Sequence, residues 1–327
     1  MRKAVVGSIF AVVASVPLVV VYTRAPISES ARVGPIEATF GAPAKVEAEV
    51  TQIAEKPKAT PVAGSSPPPS AKLAAEFKVA TDWRAFALNA RQRPEEGGYF
   101  YASFVLDLCG MDAAAMPELA SDAVAAAVAK TGTVTPAALK LTERFSTRCA
   151  SFVSKEASSL YAEIKTSTSD KRDPLVNATQ GLAAAAKGSD PKAIKDALQT
   201  LLSLNDPTAP YSSHLLERVM RKSSDAGRRG IWFDGYFYAE DDFIAIANMQ
   251  IALHLAPCLG DVPCDLDTAM MISCLGGNPC ADTPEQYLKQ VYVEQGGMTE
   301  AQFSQGVALG GRLRQVVVNQ EVRAFIR

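Results

Sequence analysis

Three Asp-Pro pairs set the rhythm of this chain. Asp173-Pro174, Asp190-Pro191 and Asp206-Pro207 stand 17 and 16 residues apart. An aspartate ahead of a helix accepts a bond from a backbone amide that has no partner inside the helix. A proline suits the first helical position, where its missing amide costs nothing. The spacing predicts helices over residues 175–186 and 192–204. In the second, Ile194, Leu198, Leu201 and Leu202 make the i, i+4, i+7, i+8 stripe of a helix with one apolar face. Thr135-Pro136 opens a further helix to about residue 153, and a helix over 99–108 precedes it. Thr283-Pro284-Glu285-Gln286 and Thr299-Glu300-Ala301-Gln302 read as capping boxes, with Gly296-Gly297 ending the helix between them. Residues 241–255 carry Phe243, Ile244, Ile246, Met249, Ile251, Leu253 and Leu255 around most of their circumference, which suits the middle of a bundle. Val316-Val317-Val318 is the one β-leaning run, and it is read into a final helix. These signals predict an all-α fold class: antiparallel helical hairpins in a bundle or a short solenoid-like array.

The N-terminus has a different character. Met1, Arg2 and Lys3 precede an uncharged run from Ala4 to Thr23, closed by Arg24. About 20 apolar residues span a bilayer core as a helix, and leading positive charges favour a cytoplasmic N-terminus with the body translocated. The expectation is an uncleaved signal anchor over residues 1–24. The alternative is a cleaved signal peptide. Cutting after Val13-Ala14-Ser15 leaves an apolar stub, and Pro26 opposes a cut after Thr23-Arg24-Ala25. Residues 25–70 then hold Pro26, Pro35, Pro43, Pro57, Pro61 and Pro67-Pro68-Pro69, with Phe40 as the only aromatic. Such a stretch buries too little apolar surface to offset its ordering entropy, and it reads as a disordered tether able to reach about 100 Å. The body is residues 71–327, with a subdivision placed near residue 170.

Six cysteines in an exported chain favour disulfides. Cys258-Leu259-Gly260-Asp261-Val262-Pro263-Cys264 is echoed by Cys274-Leu275-Gly276-Gly277-Asn278-Pro279-Cys280. In the shared Cys-Leu-Gly-x-x-Pro-Cys pattern, Gly closes a helix and Pro starts the next segment, so the second Cys can bridge the corner. This pairs Cys258 with Cys264 and Cys274 with Cys280, although pairing across the two copies also fits the spacing. Cys109 and Cys149 remain for each other. The rival is a four-cysteine zinc site, disfavoured because its ligands usually come two to four residues apart and these pairs hold five residues between them.

A net charge of −2 argues against nucleic acid as a partner. No His-Glu-x-x-His, Gly-x-Ser-x-Gly, phosphate-loop or dinucleotide motif occurs, so no cofactor, metal or reaction class follows. The two histidines read structurally. His254, near Asn248 and Gln250, is a hydrogen-bonded core histidine, and His214, near Tyr211 and Glu217, belongs to a polar helix start. One segment invites a chemical reading. Residues 228–242 set Trp232, Phe233, Tyr236, Phe237 and Tyr238 between Arg228-Arg229 and Glu240-Asp241-Asp242. Aromatic faces beside paired carboxylates suit carbohydrate binding and cleavage. Trp232, Tyr236 and Tyr238 are the candidate ligand contacts, and Glu240 and Asp242 the candidate catalytic groups. The plain reading has Asp241 and Asp242 in the first turn of a helix and the aromatics in the core. Tyr99-Phe100-Tyr101 with Phe104 reads as helix-packing surface.

The Cys-Leu-Gly-x-x-Pro-Cys pair, the Asp-Pro helix starts and the N-terminal anchor together resemble a loose group of uncharacterised exported α-helical proteins of Gram-negative bacteria. The resemblance covers about residues 77–327. It implies no activity, only that the translocated side is the periplasm. The expected protein is an inner-membrane, single-pass, periplasmic binding or scaffold module that contacts an envelope protein. The alternatives are a cell-wall glycan binder or hydrolase using residues 232–242 and, for location, a secreted or periplasmic form after signal cleavage.

Overall fold

The computed structural model describes residues 69–109, 147–152, 159, 160, 162, 163, 172–224, 227–259, 264, 266, 269, 270, 273 and 281–327. The N-terminal segment, the tether up to residue 68, the helix start at Thr135-Pro136 and the Cys274/Cys280 pair lie outside the described residues. Those described are 72% helix and 6% strand, so the body is predominantly α-helical.

The first helices are α1 (Pro69–Val79), α2 (Trp83–Ala90) and α3 (Gly98–Cys109). Helix α1 begins two residues inside the stretch assigned to the tether. Ser70 is 4% exposed and its hydroxyl bonds Asp206, which ties that end of the helix to the body. Phe77 lies 5.6–5.8 Å from the rings of Trp83, Phe86, Tyr101 and Phe104, so the aromatics of α1–α3 form one cluster.

Asp173 and Asp190 cap α4 (Pro174–Gly188) and α5 (Pro191–Ser203) as their Asp-Pro spacing requires. The stripe of α5 is buried at all four positions. Asp206 departs from the pattern. Its carboxylate accepts from Thr208 N and Ala209 N and from the Tyr101 hydroxyl at 2.9 Å, and the chain continues as a short, kinked 3-10 turn, Ala209–His214. Pro210 has no amide to give an α-ladder there. Helix α6 (Leu215–Met220) then leads into a small sheet of β1 (Arg221–Ser223), β2 (Arg229–Phe233) and β3 (Tyr236–Ala239), in that order and antiparallel throughout. The sheet is an addition to the all-α expectation.

Helix α7 (Phe243–Cys258) comes next, then α8 (Pro284–Lys289), a π-turn over Gln290–Gln295, α9 (Glu300–Val318) and a final 3-10 turn, Val322–Phe325. Thr299 and Gln302 complete a reciprocal capping box, and the triple valine ends α9 inside the helix. At Thr283 the box is incomplete: Thr283 accepts from Gln286 N, but the Gln286 side chain accepts from Asp282 N.

Helix α7 joins two cores. Met249, Ala252 and Ala256 face a large cluster running from Leu73 to Phe325, while Ala247, Ile251 and Leu255 face a second one with Leu288, Tyr292, Met298 and Phe303. The large cluster takes residues from both sides of position 170. Asn248 contacts Gln305, Ile251 contacts Gly306, Ala252 contacts Gly310 and Ala256 contacts Arg314. Partners advance together along both chains, so α7 and α9 run parallel and are not a hairpin. The axes come close because Gly306 has no side chain. A Cβ there would lie 3.0 Å from the Ile251 side chain, which is fully buried.

Two disulfides staple the described residues, Cys109–Cys149 and Cys258–Cys264, with Cα separations of 5.7 and 5.4 Å. The second takes two of the four thiolates that the zinc reading needs. The first spans 40 residues of sequence and the second 6, so loop-closure entropy assigns them about 4 and about 2 kcal/mol.

Gly306→Ala gains helix propensity but overpacks against Ile251, and it should lower Tm by roughly 2–6 °C. Gly311→Ala, on the open face of the same helix, should raise Tm by about 1–3 °C. Asp173→Ala leaves the amides of Tyr99, Phe100 and Val176 without their carboxylate. It should cost about 3 kcal/mol or more, read from the midpoint of denaturant unfolding.

Candidate functional site

The aromatic segment of residues 228–242 folds as the β2–β3 hairpin and the approach to α7. Asp234 and Gly235 turn the hairpin with φ of 51° and 87°, the left-handed pair that matches strand twist. Asp234 is clamped from outside the hairpin: its amide donates to the Ala324 carbonyl, and its carboxylate accepts two bonds from Arg312, which also binds Glu321.

The strand register decides which aromatics can act together. Ile231 pairs with Tyr238 and Phe233 with Tyr236, while Trp232 pairs with Phe237. Directly opposed residues share a face. Tyr236 and Tyr238 therefore share the face of the buried Ile231 and Phe233, and Trp232 lies on the other. The three candidate contacts do not form one stacking platform. Tyr238 packs half-buried against the large core, while Tyr236 is 70% exposed. Trp232 carries the Arg327 guanidinium over its ring at 5.6 Å.

Both candidate carboxylates have structural partners. Asp242 is the N-cap of α7 and accepts from Ala245 N at 3.1 Å. Glu240 accepts from Arg221 at 2.7 Å and lies 3.9 Å from Arg229. Arg221 links the hairpin to a second cluster, because its other nitrogen donates to Glu217, and Glu217 lies 3.4 Å from His214 Nδ1. Bonds from His214 and Arg221 hold the Glu217 carboxyl at about 2, below its usual 4.5.

This cluster borders a cavity of about 50 Å³ between the Ala209–His214 turn, α6 and α7. Both histidines of the chain line it, with Tyr211, Ser212, Glu217 and Gln250. Phe104, Leu216, Leu253, Leu266 and Cys264 supply apolar wall, and the Cys258–Cys264 bridge fixes one side. Burial, with His214 adding to it, holds the His254 imidazole at about 4 against a usual 6.5, so it is neutral at pH 7. Ser213 and His214 are consecutive non-glycine residues in the left-handed region, at φ of 49° and 55°. Such a conformation costs energy and survives where its surroundings enforce it. Here it seats His214 against Glu217. The sequence places His214 and Glu217 together but does not bring His254 to them, because 39 residues, a strand hairpin among them, separate the two histidines. Tyr211 and Arg314 carry no functional signal in the sequence.

The cavity holds about three to five water-sized centres, far too few for a sugar ring. A wider depression of about 560 Å³ lies by the hairpin turn, but the carboxylates in its lining, Asp234 and Glu321, are both satisfied by Arg312. Among the described residues no group of three His, Cys, Asp or Glu side chains is arranged to hold a metal ion, and no helix is long and apolar enough to cross a membrane. Comparison with protein-family models, curated proteins and solved structures finds no match.

The depressed His254 value sets a pH dependence. The unfolded imidazole binds its proton below about 6.5 and the folded one only near 4, so its contribution to stability is complete above 6.5 and lost as pH falls to 4. Between pH 6.5 and 4.5, wild type should lose about 1–2 kcal/mol more than His254→Gln, the figure being reduced for partial exposure. Denaturant unfolding at the two pH values measures it.

Proposed function

We propose that this protein is a helical binding module, held on a Pro-rich tether from an inner-membrane anchor and working in the periplasm against an envelope protein. The anchor is residues 1–24 and the tether begins at residue 25. The hairpin arrangement belongs to helices joined by short turns, above all α4 and α5, linked through Ser189 and Asp190.

One observation carries the reading. Tyr236 is 70% exposed at the tip of the hairpin, and Phe243 is 58% exposed at the start of a helix that is otherwise deeply packed. Large aromatics left in water on a rigid hairpin and helix start are the groups that anchor protein interfaces. The Asp234–Arg312–Glu321 clamp holds the hairpin tip in place without help from a partner, so a partner would meet a preformed surface. The glycan reading draws no comparable support. Its aromatics are split between two faces, Glu240 is bound by Arg221, and Asp242 is used as a cap.

The test uses the full-length protein in intact cells with a photo-crosslinking residue at position 236 and, separately, at the exposed Lys187 on α4. Position 236 should capture one dominant envelope protein that position 187 does not. Tyr236→Ala with Phe243→Ala should weaken that partner's binding by about tenfold or more and leave Tm unchanged. Equal capture at both positions, or recovery of wall fragments without protein, would overturn the proposal.

A further inference from the structure

We propose that β3 is a docking edge, which takes an extended segment of the envelope partner as a fourth strand of the sheet. The inference rests on the partner reading above and adds the mode of recognition. In the order β1-β2-β3, one side of β3 has no strand beside it. The ladder shows which main-chain groups face that side. Glu240 N donates to Arg229 O at 2.9 Å, so the bonded pairs of β2 and β3 recur at Ile231 with Tyr238 and at Phe233 with Tyr236. The residues between them, Phe237 and Ala239, turn their main-chain groups away from β2. Asp242 N takes the Ala239 carbonyl at 3.2 Å. The Phe237 N–H and C=O and the Ala239 N–H meet no partner among the described residues. Buried main-chain groups are nearly always paired, so these three belong in water.

The two edges of the sheet differ in their protection. β1 is three residues long and carries Arg221 and Lys222, charges of the kind that keep other chains off an edge. β3 is Tyr236-Phe237-Tyr238-Ala239, without a charge, a proline or a bulge. Glu240 follows it, but Arg221 draws that carboxylate back toward β1. The Phe237 ring also turns inward: a Cβ on Gly230 would lie 2.7 Å from it, so the ring covers β2 and not the free edge. An uncharged edge with unpaired main-chain groups is a template for strand addition, and Tyr236 and Tyr238 offer alternate side-chain contacts on one face. Four residues of edge are too little for two folded bodies, whose stable contacts bury about 1,000 Å² or more, so the occupant is a short segment and not a second copy of the chain.

The test uses the full-length protein in detergent and a phage-displayed library of random dodecapeptides, with the dominant selected peptide synthesised as the probe. The selected peptides should place β-branched or aromatic residues at alternate positions. Amide exchange resolved to single residues should find Phe237 and Ala239 fast in the free protein and slowed about tenfold or more by the peptide. Methylating the peptide's backbone nitrogens one at a time should give losses that alternate, about tenfold or more for the amides facing β3 and roughly twofold or less for those between. Tyr236→Lys puts a charge on the edge at an exposed position and should weaken the peptide about tenfold with Tm unchanged. The proposal is overturned if no peptide is enriched, if N-methylation shows no alternation, or if the Phe237 amide exchanges as before when peptide binds. Protection of Phe237 that rises with protein concentration alone would assign the edge to a second copy and overturn it too. Strand addition by the peptide, with no envelope protein captured at position 236, would fault the partner reading and not the edge; capture without strand addition would fault the edge alone.

Discussion

Two buried carboxylates hold the body together. Asp173 caps its own helix through Val176 and, with its other oxygen, takes the amides of Tyr99 and Phe100 at the start of a helix 74 residues away in sequence. Asp206 does the same kind of work for Tyr101, 105 residues away, and for Ser70 at the first turn of α1. Burial raises both acids above their usual values in spite of these bonds. That cost is sustained because each removal would strand several buried donors at once. The aromatic cluster of α1–α3 is fixed against α4 and the Ala209–His214 turn by these contacts, and the cavity wall depends on that turn.

The second half depends on a close approach. Helix α7 must satisfy two cores, and it can do so only if α9 comes near enough to seal it on one side. Gly306 and Gly310 provide the surface for that approach, and the parallel direction of the pair places Arg314 beside Ala256. A parallel pair requires a long return, and the segment after Cys258 supplies it. The Cys258–Cys264 bridge stiffens the beginning of that return where it borders the cavity.

Charge then connects parts that the sequence keeps separate. Glu240, Arg221, Glu217 and His214 form one chain of contacts from the hairpin to the cavity. Glu240 stands out in the sequence as a candidate acid because aromatics and carboxylates surround it. Its actual partner, Arg221, comes from β1, and nothing in local spacing foretells a strand there. The hairpin itself is legible: Asp234-Gly235 between apolar runs is a strong turn signal, outweighed by the density of helix caps around it. Register, which separates Trp232 from Tyr236 and Tyr238, depends on that turn and is lost with it.

What the sequence determined by itself was local. Asp173, Asp190, Thr299 and the apolar stripes fix helix starts and faces because caps and periodicity act within one or two turns. The Cys258–Cys264 corner is likewise a matter of six residues. Tertiary structure alone decided that His214 and His254 share a cavity, that Tyr211 ends without a partner among the described residues, and that α7 and α9 run parallel. Each of these is a meeting of side chains far apart in the chain. Such meetings are chosen by how two cores close around one helix, an outcome that no short window of residues contains.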